Sequence, residues 1–243
     1  MKTKIVVLGA WIVASSAATV VADSNEIAEV YVTSSRVSHD ASLLVGSWSN
    51  IRKEALDDLQ AIHVQQVLER IPGVNLHRNN GQEYLPAIRS PVLTGSGACG
   101  SFLIAEDGIP LRPAGFCNVN ELFESHFEQA SGIEVARGPG TTLYGSNALH
   151  GVVNVIGPAV VGAENSLAVD VGPYDRGRIK THLSSDNLAM ALTLSHDGGY
   201  RDDASADQQK LSLRYQQAYS EVNLNSGFTA TNLNQNTAGY VNG

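Results

Sequence analysis

The sequence predicts a mixed helix-and-strand domain followed by a run of antiparallel strands. Two observations carry this. Between Ile51 and Pro158, short apolar stretches of helical period are interleaved with β-rich stretches. After Pro158 helical periodicity vanishes, and apolar residues alternate with polar ones in segments of about ten residues separated by polar turns.

A third observation sets the compartment. The chain opens MKTKIVVLGAWIVASSAATVVADS, with Lys2 and Lys4 ahead of an apolar run and a small-residue end at Ala22. Residues 1–22 read as a secretory signal peptide. Ser15, Ser16 and Thr19 weaken the rival reading, a membrane anchor, and no basic stop-transfer residues follow. Removing Lys2 and Lys4 takes 16 basic residues to 14 against 24 acidic ones, a net charge of −10. No basic patch remains for nucleic acid. Cys99 and Cys117 are an even count in an exported chain, which favours one disulfide over two free thiols. A loop of that size contributes about 3 kcal/mol in the chain-entropy account.

Residues 23–50 read as a flexible segment carrying one extended island, EVYVTSSR, from Glu29 to Arg36. IRKEALDDL then reads as a short polar helix. In HVQQVLERIPGV, Val64, Val67, Leu68 and Ile71 fall on one helical face, stopped by Pro72-Gly73. Val74 and Leu76 begin a strand, and Ile88 to Leu93 is a second, broken by Pro91. SFLIAEDGIPL is a hairpin turning at Asp107-Gly108, where both residues need positive φ. Asn120 to Gln129 is a helical patch, GIEVARGPG a strand, TTLYGSNALHG a loop and VVNVIG a strand. This mixture is an α+β or α/β domain, with a core around Val67, Leu68, Ile71, Leu103, Ile133 and Val135.

Beyond Pro158, single faces collect Leu167, Val169 and Val171, then Leu188, Met190, Leu192 and Leu194, then Leu211, Leu213 and Tyr215, then Val222, Leu224 and Phe228. Ile179, Thr181 and Leu183 oppose Lys180, His182 and Ser184. Alternation of this kind fits a transmembrane β-barrel and a soluble antiparallel sheet equally well.

Catalytic and metal motifs are weak. Gly95, Gly97 and Gly100 spell G-x-G-x-x-G, but a hairpin follows, not the helix that a dinucleotide needs. GPGTTLYGS lacks the Lys and Ser/Thr pair of a phosphate loop. ELFESHFE, with Glu121, Glu124, His126 and Glu128, reads as a solvated helix face in preference to a metal site. Asp202, Asp203 and Asp207 lack the EF-hand spacing and read as a wet loop. The chain is therefore expected to be no enzyme and to need no cofactor or metal.

The motifs EVYVTSSR, VLERIPGVNL, FLIAEDGIPL and GIEVARGPGTTLYGSNALHGVVNVI occur in that order. Together, over Glu26 to Ile156, they resemble the N-terminal plug of TonB-dependent outer-membrane receptors. Glu134, Arg137, Gly138, Pro139, Leu143, Tyr144, Gly145 and Gly151 lie in the most specific block.

The resemblance implies an α+β plug domain at 51–158 and, at 159–243, the first antiparallel strands of an incomplete transmembrane β-barrel. It implies active uptake of a scarce small molecule or metal chelate, such as a ferric siderophore, across the outer membrane of a Gram-negative bacterium. Outer-membrane lipid and an inner-membrane TonB-type protein are the implied partners. Glu29, Val30, Tyr31, Val32, Thr33 and Ser34 correspond to the segment that contacts that protein. The glycine loop maps to an outward apex, with Thr94, Gly95, Ser96, Gly97, Arg112, Phe116 and Asn118 facing ligand. A Cys99–Cys117 bridge ties its two loops together. Glu134, Arg137, Gly138, Pro139, Tyr144 and Gly145 map to contacts between plug and barrel.

Three departures stand out. The family's Ile-Arg-Gly is Ile88-Arg89-Ser90 here, which is expected to disturb a turn, and the last plug strand ends in Gly157-Pro158. The 85 residues after Pro158 supply only about five strands of a barrel of about 22. The chain is thus expected to be an incomplete receptor with an open sheet of four or five strands. The alternative is a soluble periplasmic or secreted binding module.

Overall fold

The computed structural model describes residues 31–32, 39–40, 46–78, 81–90, 102–112 and 124–236. The signal peptide, the glycine loop and both cysteines lie outside these residues.

The plug sheet begins earlier than residue 51, at β3 (Ser47–Arg52), after a two-residue pair of β1 (Tyr31–Val32) with β2 (His39–Asp40). The chain continues through α1 (Lys53–Leu59) and α2 (Gln65–Leu68) to a hairpin of β4 (Val74–Arg78) and β5 (Tyr84–Ile88). Of the second strand expected at Ile88 to Leu93, residues 91–93 lie outside the described residues; β5 is the strand described here and has Pro86 inside it. At its end Arg89 takes φ 48°, and Ser90 Oγ accepts the Ile88 N–H at 3.3 Å, so the turn forms despite the missing glycine.

Next come β6 (Phe102–Glu106), β7 (Ile109–Pro110), β8 (Gly132–Arg137) and β9 (Gly151–Ile156). The sheet order is β3-β8-β9-β6-β7, with β6 and β9 parallel and the other pairs antiparallel. Asp107 and Gly108 turn the β6–β7 hairpin at φ 50° and 76°. The stretch expected as a loop, TTLYGSNALHG, contains α3 (Thr141–Tyr144) and a 3-10 turn at Ser146–Ala148.

This sheet is covered on both faces, which explains its continuous apolar runs. Phe102, Ile104, Ile133, Val135, Val153 and Val155 meet Val64, Val67, Leu68 and Ile71 in the main core. On the other face Leu103, Ala136 and Val152 meet Tyr144 and Ala148. Each large side chain buried in this way contributes about 1.5–3 kcal/mol.

Five strands follow as an antiparallel meander: β10 (Ser166–Gly172), β11 (Arg176–Ser184), β12 (Leu188–Asp197), β13 (Ala206–Ala218) and β14 (Asn223–Gln235). Among the described residues the sheet is open, with β10 paired only to β11 and β14 only to β13. No helix among them is long and apolar enough to cross a membrane.

The sidedness of this wall is inverted relative to a soluble sheet. Arg178, Lys180, Thr193, Gln208, Lys210 and Ser212 are buried on the plug side, and His182 against the carbonyls of Ala159 and Glu164, while Leu167, Val169, Ile179, Leu183 and Phe228 are exposed. Val171 is 83% exposed and Lys210 1%. An outer face of this kind suits lipid. Tyr174 and Tyr200 mark one end of the wall, Tyr215 and Tyr219 the other. From Leu188 opposite Tyr215 to Asp197 opposite Ala206, at about 3.3 Å per residue and a tilt of about 40°, the wall rises about 23 Å. That matches an outer-membrane apolar band of about 25 Å.

Candidate functional site

The polar surface between plug and wall is the chemically richest part of the molecule. It is centred on residues 124–131, which the sequence presents as a solvated helix face. The structure corrects that reading. Only Phe127–Gln129 is helical, as a 3-10 turn, among the described residues of the patch. Phe127 and Ala130 sink into the plug core and so present Ser125, His126, Glu128 and Gln129 to the wall.

The Lys210 ammonium donates to Glu128 Oε1 and Oε2 at 2.8 and 3.0 Å and to the Ser125 carbonyl at 2.9 Å. It also lies 4.7 Å from the Phe127 ring centre. Burial raises the Glu128 carboxyl pKa, but the Lys210 charge, the neighbouring His126 and the hydrogen bonds to the carboxylate together outweigh it and hold the group below its usual range. His126 bridges two strands, with Nδ1 2.9 Å from Ser212 Oγ and Nε2 2.7 Å from Thr193 Oγ1. Burial lowers its pKa to about 4, so the ring is neutral at physiological pH, one nitrogen donating and the other accepting.

Three further clamps surround this centre. Arg214 pairs with Glu106 and Asp107, and Thr229 Oγ1 donates to Glu106 at 2.9 Å. Gly157 and Gly227 flank the guanidinium, and a Cβ at either would collide with it. The departure at Gly157-Pro158 therefore has a structural reason. Asp107 also accepts the Gly157 N–H at 2.9 Å, which joins hairpin, exit strand and wall at one carboxylate.

At the second clamp, Arg178 donates to the Ala61 and Gln60 carbonyls at 2.6 and 3.0 Å and to Asp170 at 2.8 Å. Lys180 donates to Gln60 Oε1 at 2.7 Å. Gln60 is the left-handed cap of α1, so wall cations take up the free carbonyls at that helix end. At the third, the Gln82 N–H donates to Gln235 Oε1 at 3.0 Å, tying the β4–β5 tip to the top of β14.

Four wall cations thus grip plug carboxylates and carbonyls. Such an interface is held by hydrogen bonds that water can replace, with little apolar adhesion. Beside Arg214 a cleft of about 790 Å³ already separates the β6–β7 hairpin from β13 and β14.

Residues 41–152 match the family model described as TonB-dependent Receptor Plug Domain. These residues form a plug domain of the kind found in TonB-dependent receptors. It is 26% identical over 206 residues to the vitamin B12 transporter BtuB of Vibrio vulnificus (strain CMCP6), covering 84% of this chain and 31% of that protein. In fold it is similar to the ferric citrate transporter FecA in its unliganded form, with a TM-score of 0.62, 24% identity, and 80% and 32% of the two chains covered. It is also similar to the pyoverdine receptor FpvA of Pseudomonas aeruginosa PAO1, with a TM-score of 0.66, 13% identity, and 83% and 30% covered. The chain spans about a third of the length of these relatives. The family is one of receptors and transporters, not enzymes, and its place is the outer membrane of Gram-negative bacteria. The likeness in fold covers 80% and 83% of this chain and so extends beyond the plug into the five strands.

Against this frame the expected site residues fall in three groups. Tyr31 and Val32 pair with Asp40 and His39; Glu29, Val30, Thr33 and Ser34 lie outside the described residues. So do Thr94, Gly95, Ser96, Gly97, Phe116, Asn118 and the Cys99–Cys117 pair. Arg112, expected at the ligand face, is ion-paired with Glu124.

The third group makes its described contacts inside the plug. Arg137 donates to the Pro72 carbonyl at 2.5 Å and to Ser49 Oγ at 2.9 Å. Glu134 is buried, and its Oε2 accepts from Asn154 at 3.4 Å. Gly138 and Gly145 take φ 114° and 86°, Pro139 is exposed, and Tyr144 is in the second core. The residues that do grip the wall, His126, Glu128, Glu106 and Asp107, were not singled out for that role. The signal for them was the charged inward register of the strands, Arg178 and Lys180 on β11 and Lys210 and Arg214 on β13.

Proposed function

We propose that the chain is the plug and first wall strands of a TonB-dependent transporter that takes up a scarce ligand, such as a ferric siderophore, across the outer membrane. The supporting observation is the polar, cation-clamped interface between plug and wall beneath an apolar outer face. A plug held in this way stays seated without force and shifts when pulled. A soluble binding module is disfavoured by the exposed apolar side chains from Leu167 to Phe228.

In this reading Glu29 to Ser34 adds as a strand to the inner-membrane partner. Thr94 to Gly97, Phe116 and Asn118 face ligand, and a Cys99–Cys117 bridge stiffens their loops. In the complete receptor, Val30→Pro and Val32→Pro should abolish uptake and leave ligand binding intact, because proline removes the backbone donor. Normal uptake by both variants contradicts the energy-coupling role. Peptide mass spectrometry without reduction should show Cys99 linked to Cys117; two alkylatable thiols in exported protein contradict the bridge.

A further inference from the structure

The wall has two unlike ends. At one, strands are joined across residues 185–187 and 219–222; at the other, across 173–175 and 198–205. Outer-membrane barrels keep their turns short on the periplasmic side and their loops longer outside, so the transporter reading makes the second end the outer one.

Backbone strain in the wall is confined to that end. Among the described residues from 159 to 236, non-glycine backbone is left-handed only at Tyr174, Asp175 and Asp203, all in the two outer turns. Tyr174 and Asp175 are consecutive, at φ 61° and 53°. Hairpins ordinarily give such positions to glycine, asparagine or aspartate, and a bulky tyrosine there is an outlier. A conformation of this kind persists only where its surroundings hold it.

A chain of contacts holds it, and that chain ends on the plug. The Gly198 N–H donates to the Tyr174 carbonyl at 2.9 Å. A Cβ at Gly198 would stand 2.7 Å from that same oxygen, so the two turns meet backbone to backbone. Asp175 adds an exposed contact with His196 at 3.6 Å. At the far side of the 198–205 turn, the Ser205 carbonyl accepts the Asn236 N–H at 2.8 Å, and Ser205 Oγ accepts from Asn236 Nδ2 at 3.1 Å. The preceding residue, Gln235, is opposite buried Ala206 in the inward register. Its Oε1 accepts the Gln82 N–H of the β4–β5 tip at 3.0 Å. A Cβ at the neighbouring Gly81 would fall 2.5 Å from that oxygen. Two consecutive residues, Gln235 and Asn236, thus join the plug tip to the outer turns.

We infer that the plug tip is the catch on a strained outer rim. While Gln82 is docked on Gln235, the turns at 173–175 and 198–205 are held together; undocking lets them relax apart. For its use the device rests on the transporter reading: displacement of the plug from inside is then felt at the outer surface. Coupling of this kind is reciprocal, so disturbing the turns also loosens the tip.

Amide hydrogen exchange resolved to single residues, on the full chain in detergent, tests this without ligand or partner. Gln235→Ala removes the acceptor for Gln82 and should speed exchange of the Gly198 amide about tenfold. Gly198→Ala should in return speed exchange of the Gln82 amide about tenfold. The Gln216 amide, bonded to the Asn187 carbonyl at the opposite end of the wall, should not change in either variant. Tyr174→Gly relieves the strained position and removes a mostly exposed side chain. Added to Gln235→Ala, it should restore most of the lost protection at Gly198, which a contact of merely local importance would not allow. A Gly198 amide unmoved by Gln235→Ala, a Gln82 amide unmoved by Gly198→Ala, equal acceleration at Gln216, or no rescue by Tyr174→Gly overturns the inference. Any of these results leaves the transporter reading standing, because uptake tests that reading separately.

Discussion

The Lys210 ammonium lies 2.8 and 3.0 Å from the two carboxylate oxygens of Glu128, with side chains only 1% and 7% exposed. One charge comes from the wall and the other from the plug. A buried pair is expensive to form, and removing one partner leaves the other stranded. Lys210→Met or Glu128→Gln alone should therefore cost about 3–5 kcal/mol, read as a lower denaturant midpoint in detergent. The double replacement Lys210→Met with Glu128→Leu should recover most of that loss.

Acid should loosen the same interface through His126. Its folded pKa of about 4 lies below the ordinary 6.5, so the unfolded chain takes up the proton first as pH falls. Stability is lost progressively from about pH 6.5 down to about 4, by about 3 kcal/mol in total. Glu128 has the same sign at lower pH: its lowered pKa contributes stability that is lost as pH falls through the folded value. Glu106, raised by burial, has the opposite sign, its protonated form favoured in the fold. Unfolding midpoints from pH 7 to 4 should show a steep decline, and His126→Asn should flatten it between pH 6.5 and 4.

The glycine slot around Arg214 makes a coupling prediction. Gly157→Ala or Gly227→Ala places a methyl where the guanidinium lies and should release Arg214 from Glu106 and Asp107. Each should then weaken the plug–wall contact about as much as Arg214→Ala. In a double-mutant cycle Gly157→Ala should add almost nothing on top of Arg214→Ala. Full additivity contradicts the slot.

Much of this fold was legible because its signals are local. The Asp107-Gly108 turn, the apolar face of Val64, Val67, Leu68 and Ile71, and the five alternating strands all stand where their patterns put them. The described strand near Ile88 begins upstream, at Tyr84, and carries Pro86; among the described residues it pairs only with β4, so the missing donor is tolerated. The interface was illegible for a different reason. His126 and Glu128 look solvated because they are polar and the partners that satisfy them in the buried interface, Thr193, Lys210 and Ser212, lie 67 to 86 residues away. Alternation alone likewise does not say which face of the wall is wet, since Lys180 and Ile179 exchange roles between a soluble sheet and a barrel.

That sidedness is the central claim, and spin-label accessibility tests it most directly. Single cysteines at Val169, Ile179 and Phe228, in the complete receptor with Cys99 and Cys117 replaced by Ser, are labelled with nitroxide and placed in a lipid bilayer. Dissolved oxygen, which concentrates in lipid, should relax all three labels strongly, and a water-soluble nickel chelate should barely touch them. A label at Ser212, on the opposite register, should be shielded from both by the plug. Strong relaxation by the nickel chelate at Val169, Ile179 and Phe228 contradicts a lipid-facing wall and the receptor built on it.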